Sequence, residues 1–339
     1  MTSSTSSSEA VNAKAWRQWL IACAAVFAAA LVVTWFSLLL LDPYDSGRFP
    51  GLRVSGVVDR NPRTANAGRA RNALFDAALF GNSTGQLLDP ERLSAATSLH
   101  FVQLTVPGTG PREQMTLLRY FISHHTHTTA LVIVTDPSWC TPDPSPPLDH
   151  PFPFWLYDGN FDYLRHFASW HAIELGFRRV GLALRLRRPV ARIDGFLDYE
   201  IGWTWSFHPP PRTEAEAKDT TAAATSAEQP FPAISELEAM LSELPPTVAV
   251  AIVVPPVYSD DLAAPHSSSG IRIAQCKSAL DKIVARRPRS GLLDFRVDNA
   301  VTRDPENFMN AMHYRAVLAR QMEQSVSAII VAGAAEPRS

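Results

Sequence analysis

Residues 19–41 read WLIACAAVFAAALVVTWFSLLLL, a run with no charged side chain and only Thr34 and Ser37 as polar interruptions. At about 1.5 Å per helical residue, such a run spans a hydrocarbon core of roughly 30 Å. Trp16 and Trp19 stand where the headgroup interface is expected. A cleaved signal peptide has a shorter apolar core and ends at a small-residue site. This run ends in Leu38–Leu41 followed by Asp42-Pro43, so a retained transmembrane helix over residues 16–41 is expected. Lys14 and Arg17 precede it, and Asp42 and Asp45 follow it. Basic flanks stay inside, which predicts a cytoplasmic N-terminus, a disordered Ser/Thr-rich tail over residues 1–15 and an extracytoplasmic main domain. In a Gram-negative cell that is an inner-membrane protein facing the periplasm.

The chain has 339 residues and a formal net charge of −2. There is no whole-protein positive field to draw in nucleic acid, so none is expected as a partner. The cysteines are Cys23, inside the apolar run, and Cys140 and Cys276, far apart in sequence. The latter two are read as separate small buried residues. One disulfide is the alternative if the domain is exported.

Residues 42–70 are rich in Pro, Gly and Arg and read as a stalk. Beyond them, in residues 71–333, strands and helices alternate. Strands are expected at 76–81, 100–106, 130–135, 248–254 and 292–297. Helices are expected at 90–97, 112–124, 161–184, 235–244, 271–287 and 314–330. Continuous β-branched runs such as ALVIVT and VAVAIVV are typical of parallel strands buried on both faces. The fold class is therefore α/β, flavodoxin-like, with a five-stranded parallel sheet in a three-layer α/β/α arrangement. An insertion over 137–247 separates the third and fourth strands and contains a low-complexity stretch at 209–232. Its aromatic residues, among them Trp139, Phe152, Trp155, Tyr157, Tyr199, Trp203, Trp205 and Phe207, are read as a lid over the cleft, with plain core packing as the alternative. The basic stretch of Arg178, Arg179 and residues 185–188 is read as a solvated face, and His124, His125 and His127 as a solvated helix end.

Ligands of open α/β sheets bind at the carboxyl ends of the strands. The first strand leads into Gly81-Asn82-Ser83-Thr84-Gly85, where a serine on a sharp turn can present its hydroxyl beside backbone N–H groups. Helix capping by Ser83 is the other reading. Pro107-Gly108-Thr109-Gly110 follows the second strand, and Asp136-Pro137-Ser138-Trp139 the third. Asn310-Ala311-Met312-His313 precedes the last helix, which His313 is read as opening.

Taken in order, these blocks resemble the SGNH (GDSL-like) hydrolase superfamily. They look closest to its membrane-anchored bacterial members, in which an N-terminal helix is followed by a DPY segment, here Asp42-Pro43-Tyr44. The resemblance implies Ser83 as nucleophile and His313 as base, with Asn310 in the place of the family's orienting Asp. It implies oxyanion donors at the Ser83 and Gly108 amides, with Asn82 beside them. Asp136 stands where the family carries an Asn, and Asp136 and Trp139 are expected at the substrate. The implied activity is that of an esterase or O-acyltransferase on acylated envelope glycans or other small esters. The alternative is a non-catalytic SGNH-like domain that binds a glycan or a partner in an envelope assembly. No cofactor and no metal are implied.

Overall fold

The computed structural model describes residues 6–143, 145, 150–209 and 231–332. Residues 1–5 of the expected tail, and residues 210–230 of the low-complexity stretch, lie outside them. The first helix, α1 (Ser6–Leu41), begins within the expected tail and continues through the apolar run. Residues 13–41 of it are long and apolar enough to cross a membrane.

Residues 42–70 are not a free stalk. Asp42 folds back on the chain, accepting from Ser46 N and Ser46 Oγ at 2.8 Å each and from Gly47 N at 2.7 Å. Tyr44 is buried against Trp155, with its hydroxyl 3.2 Å from Ser169 Oγ. The segment ends in α2 (Pro62–Ala70), whose Asn66, Ala67 and Ala70 are fully buried. Proline, glycine and arginine predict irregular backbone, and most of this segment is irregular. Its burial comes from distant partners that local composition does not reveal.

Next come β1 (Ala77–Phe80), α3 (Pro90–Thr97), β2 (Phe101–Gln103), α4 (Pro111–His124) and β3 (Ala130–Val134). The insertion holds α5 (Phe154–Tyr157), α6 (Asn160–His166), α7 (Trp170–Ala183) and α8 (Pro232–Ser242). The single helix expected over 161–184 is thus two, because Ser169 caps a new N-terminus by accepting from Ala172 N. The chain closes with β4 (Ala249–Val254), α9 (Ser268–Ala285), β5 (Ser290–Asp294), the hairpin β6 (Phe308–Asn310) and β7 (His313–Tyr314), and α10 (Ala316–Ala332).

The sheet is five-stranded and all-parallel in the order β2-β1-β3-β4-β5. Strand side chains alternate between faces. Ala78, Phe80, Leu131, Ile133, Val250 and Ile252 share one core with α4, α8 and α9. Ala77, Leu79, Val132, Val134, Ala251 and Val253 share the other with α10 and Leu93 of α3. That is the expected three-layer architecture.

Cys140 and Cys276 are disulfide-bonded across a sequence separation of 136 residues, which corrects their reading as unrelated residues. The bridge ties the turn after β3 to α9. Arg179 is also not on a solvated face: it is 1% exposed, and its guanidinium donates to Leu41 O at 2.9 Å and Leu52 O at 2.7 Å. It satisfies a carbonyl at the C-terminus of α1, where a cation complements the helix dipole.

Candidate active site

The site is built on the turn after β1. Gly81 has φ +153, and a Cβ there would lie 3.0 Å from Val134 Cβ and 3.1 Å from Val134 O. Only glycine lets the chain turn this close to β3. Asn82 then caps a short 3-10 turn beginning at Ser83, its Oδ1 accepting from Thr84 N at 3.0 Å and Thr84 Oγ1 at 2.8 Å. The cap is therefore Asn82, which leaves the Ser83 hydroxyl available for other bonds.

His313 does not open the last helix. It begins β7 and pairs with Asn310 across the β6–β7 hairpin. Tyr314, its neighbour, is fully buried and donates to Thr84 O at 2.6 Å, which fastens the hairpin to the serine turn. The result is a short relay. His313 Nε2 lies 3.0 Å from Ser83 Oγ, and His313 Nδ1 lies 2.9 Å from Asn310 Oδ1. The backbone N–H groups of Met312 and His313 also donate to Asn310 Oδ1, at 3.0 and 2.9 Å. Two obligate donors identify that atom as the oxygen. Nδ1 must then carry the ring proton, and Nε2 is left with the lone pair that accepts from Ser83. Burial lowers the His313 pKa below its ordinary value, so the imidazole is a neutral base at pH 7.

Ser83, Gln86, Tyr199, Trp203, Met309, Asn310 and His313 line a cleft of about 180 Å³. Tyr199 and Trp203 belong to the aromatic insertion. The Tyr199 ring meets His313 edge-on at 6.2 Å, and Trp203 packs against Trp205 at 4.2 Å. Glu200 holds this loop in place by accepting from Ala316 N at 2.6 Å and from Arg315 Nη1 at 3.2 Å, at the start of α10. The lid reading thus fits part of the insertion. Trp139, Phe152, Trp155 and Tyr157 pack in the core on the other face of the sheet.

Other expected site residues fall elsewhere. Trp139 is 1% exposed, and its indole N–H donates to Gln114 Oε1 at 3.2 Å, so it does not reach a substrate. Asp136 caps the turn after β3 by accepting from Ser138 N at 2.7 Å, and it also accepts from the Asn82 side-chain amide. Burial raises its pKa. Neither Asp136 nor Asn82 is among the residues lining the cleft. They brace the serine turn through the bond from the Asn82 amide to the Asp136 carboxylate. Gly108 has φ +64 in the turn after β2. It does not line the cleft either, although Val106 N donates to Gly81 O at 2.9 Å and brings that turn to the same sheet edge.

Sequence reasoning missed Gln86 and Tyr314. Gln86 lies three residues beyond Ser83, one turn on and on the same side. That spacing was a usable clue. Tyr314 had none beyond adjacency to His313. At the other candidate cluster, His124 Nδ1 bonds Tyr120 O at 2.8 Å and His125 Nε2 bonds Ala70 O at 2.8 Å. Among the described residues no group of His, Cys, Asp or Glu side chains is placed to hold a metal ion.

The sequence matches no protein-family model, and no curated protein is significantly similar to it.

Proposed function

We propose that this protein is an SGNH-like serine esterase or O-acyltransferase, anchored in a membrane by α1 with its α/β domain outside the cytoplasm, and acting on acyl esters of envelope glycans. The observation that carries the reading is the Ser83–His313–Asn310 relay facing an open cleft, a nucleophile bonded to a base whose other nitrogen is held by a third group.

As Ser83 Oγ bonds to the ester carbonyl carbon, His313 Nε2 takes its proton. The tetrahedral oxyanion collapses and breaks the C–O bond. The leaving alkoxide recovers the proton from Nε2, and an acyl-Ser83 remains. Water or a sugar hydroxyl then attacks, again deprotonated by His313, and regenerates the serine. The amide of Ser83 is the proposed backbone oxyanion donor; Gly108, expected as the second, does not line the cleft. Gln86 is the proposed side-chain donor, because it lines the cleft and carries an amide N–H₂. Replacing Gln86 by Ala is expected to lower kcat by about 10²-fold with little change in KM, as for other oxyanion donors. An unchanged kcat would remove Gln86 from that role.

Three further observations support the reading. The Cys140–Cys276 disulfide suits an oxidising compartment, in agreement with the basic residues ahead of α1. The cleft is small, which suits a short acyl group. Trp203 and Trp205 offer aromatic faces beside it that can stack on a sugar ring. An SGNH-like domain that binds glycan without turnover is the alternative favoured by the uncharged Asn310. The two part on one experiment, reaction of the full-length protein in detergent with a fluorophosphonate. A phosphonyl adduct on Ser83, absent from Ser83→Ala, is expected. Absence of an adduct on the wild type would overturn the enzyme reading.

A further inference from the structure

Helix α7 carries an apolar stripe that the domain leaves uncovered. Trp170, Phe177 and, just past its end, Leu184 recur at seven-residue spacing on one face, flanked by the half-buried Ile173 and Val180. Trp170 is 81% exposed, Phe177 73% and Leu184 63%, and Phe161 in α6 is 76% exposed. Isolated exposed apolar side chains are ordinary, but an aligned row of large ones marks an interaction surface.

Its position identifies the partner. Gly176, next to Phe177, faces α1: a Cβ there would lie 3.2 Å from Leu41 Cδ1 and 3.6 Å from Leu38 Cδ2. Trp35 of α1 meets Phe167, between α6 and α7, at 5.6 Å. About 20 residues of helix cross a hydrocarbon core of roughly 30 Å. Counted from the interfacial Trp19, the far boundary falls near Leu38, the level of α1 that α7 touches. The charge is complementary as well. Residues 160–188 contain, besides the buried Arg179, five Arg against Asp162 and Glu174, a local +3 in a chain of net −2. Arg185, Arg187 and Arg188 are exposed just past α7. Aromatic and aliphatic residues on one face with arginines alongside are the features of a helix lying in a membrane interface.

We infer that the face of α6 and α7 bearing Phe161, Trp170 and Phe177 docks into the headgroup region of the leaflet from which α1 emerges, with anionic phospholipid as its partner. This rests on the reading of α1 as a membrane anchor. It makes a second membrane contact that seats the domain on the bilayer.

The test uses the full-length protein with Cys23→Ala. Among the described residues Cys23 is the free cysteine, and Cys140 and Cys276 are bonded to each other. Single cysteines replace Val26 in α1, Phe177 in α7, or Gln324, which is exposed on α10 beyond the opposite face of the sheet. Each variant carries an NBD label and is reconstituted into phosphatidylcholine–phosphatidylglycerol vesicles containing nitroxide-labelled lipid. Labels at Val26 and Phe177 are expected to be quenched about twofold or more relative to Gln324, with the Phe177 quenching weaker in pure phosphatidylcholine. Quenching at Val26 with Phe177 behaving like Gln324 would overturn the docking and leave the anchor standing. Loss of quenching at Val26 as well would overturn both. Equal quenching of Phe177 in the two lipids would overturn the preference for anionic headgroups.

Discussion

An Asn310→Asp variant is expected to hydrolyse an activated ester about 10- to 10³-fold faster than the wild type, part of the roughly 10⁴ that separates Asp from Asn at this position in the Ser-His-Asp proteases. Asp→Asn in the Ser-His-Asp proteases costs about 10⁴ in kcat, attributed to the wrong imidazole tautomer. That part of the cost does not arise here. The Met312 and His313 amides pin Asn310 Oδ1 toward Nδ1, so the amide already selects the productive tautomer. What it lacks is the negative charge that stabilises the imidazolium formed as Ser83 attacks. A carboxylate in the same place accepts the same three bonds and supplies that charge. The pH profile gives an independent reading. Burial depresses the His313 pKa and the base works only when neutral. The acid limb of kcat/KM in the wild type therefore has its midpoint below pH 6.5, the ordinary histidine value, with a plateau at neutral pH. An adjacent carboxylate favours the charged ring, so the limb moves to higher pH in the variant. Unchanged turnover together with an unmoved limb would mean that His313 is not the base.

The sheet was legible because its strands are written in continuous apolar runs, and Ala130–Val134 and Ala249–Val254 fall within a residue of the expected bounds. Parallel order followed from the intervening helices. The relay was legible only through the resemblance: local sequence alone favours Ser83 as a helix cap and His313 as a solvated residue, and the order of the short blocks along the chain is what pairs them. Features set by distant partners were not legible. Nothing near Asp42 indicates that Arg179 caps Leu41 from well over a hundred residues away, so buried irregular chain read as a stalk. The aromatic insertion divides between core and cleft because Glu200 finds the start of α10, and local sequence does not encode that contact. Trp139 and Asp136 occupy the right strand end, but local side-chain direction sends Trp139 into the core and Asp136 to the Asn82 amide. Strand order locates a site to within a loop, and packing decides which side chains of that loop face the cleft.

Ser83→Ala and His313→Ala are each expected to abolish measurable ester turnover, a loss on the order of 10³–10⁶ in kcat, and the double variant is expected to lose no more than either alone. The reason is the covalent step. Without the hydroxyl the base has no proton to move, and without the base the hydroxyl is a poor nucleophile at neutral pH. The two groups act as one, across 230 residues of sequence, because the Tyr314 hydroxyl bonds the serine turn at Thr84 O and fixes the 3.0 Å contact. A Tyr314→Phe variant separates position from chemistry. It keeps both reacting groups and removes only the fastening, so kcat should fall while the fluorophosphonate adduct still forms on Ser83. Independent, additive losses from Ser83→Ala and His313→Ala would mean that the two side chains touch without acting in a common step.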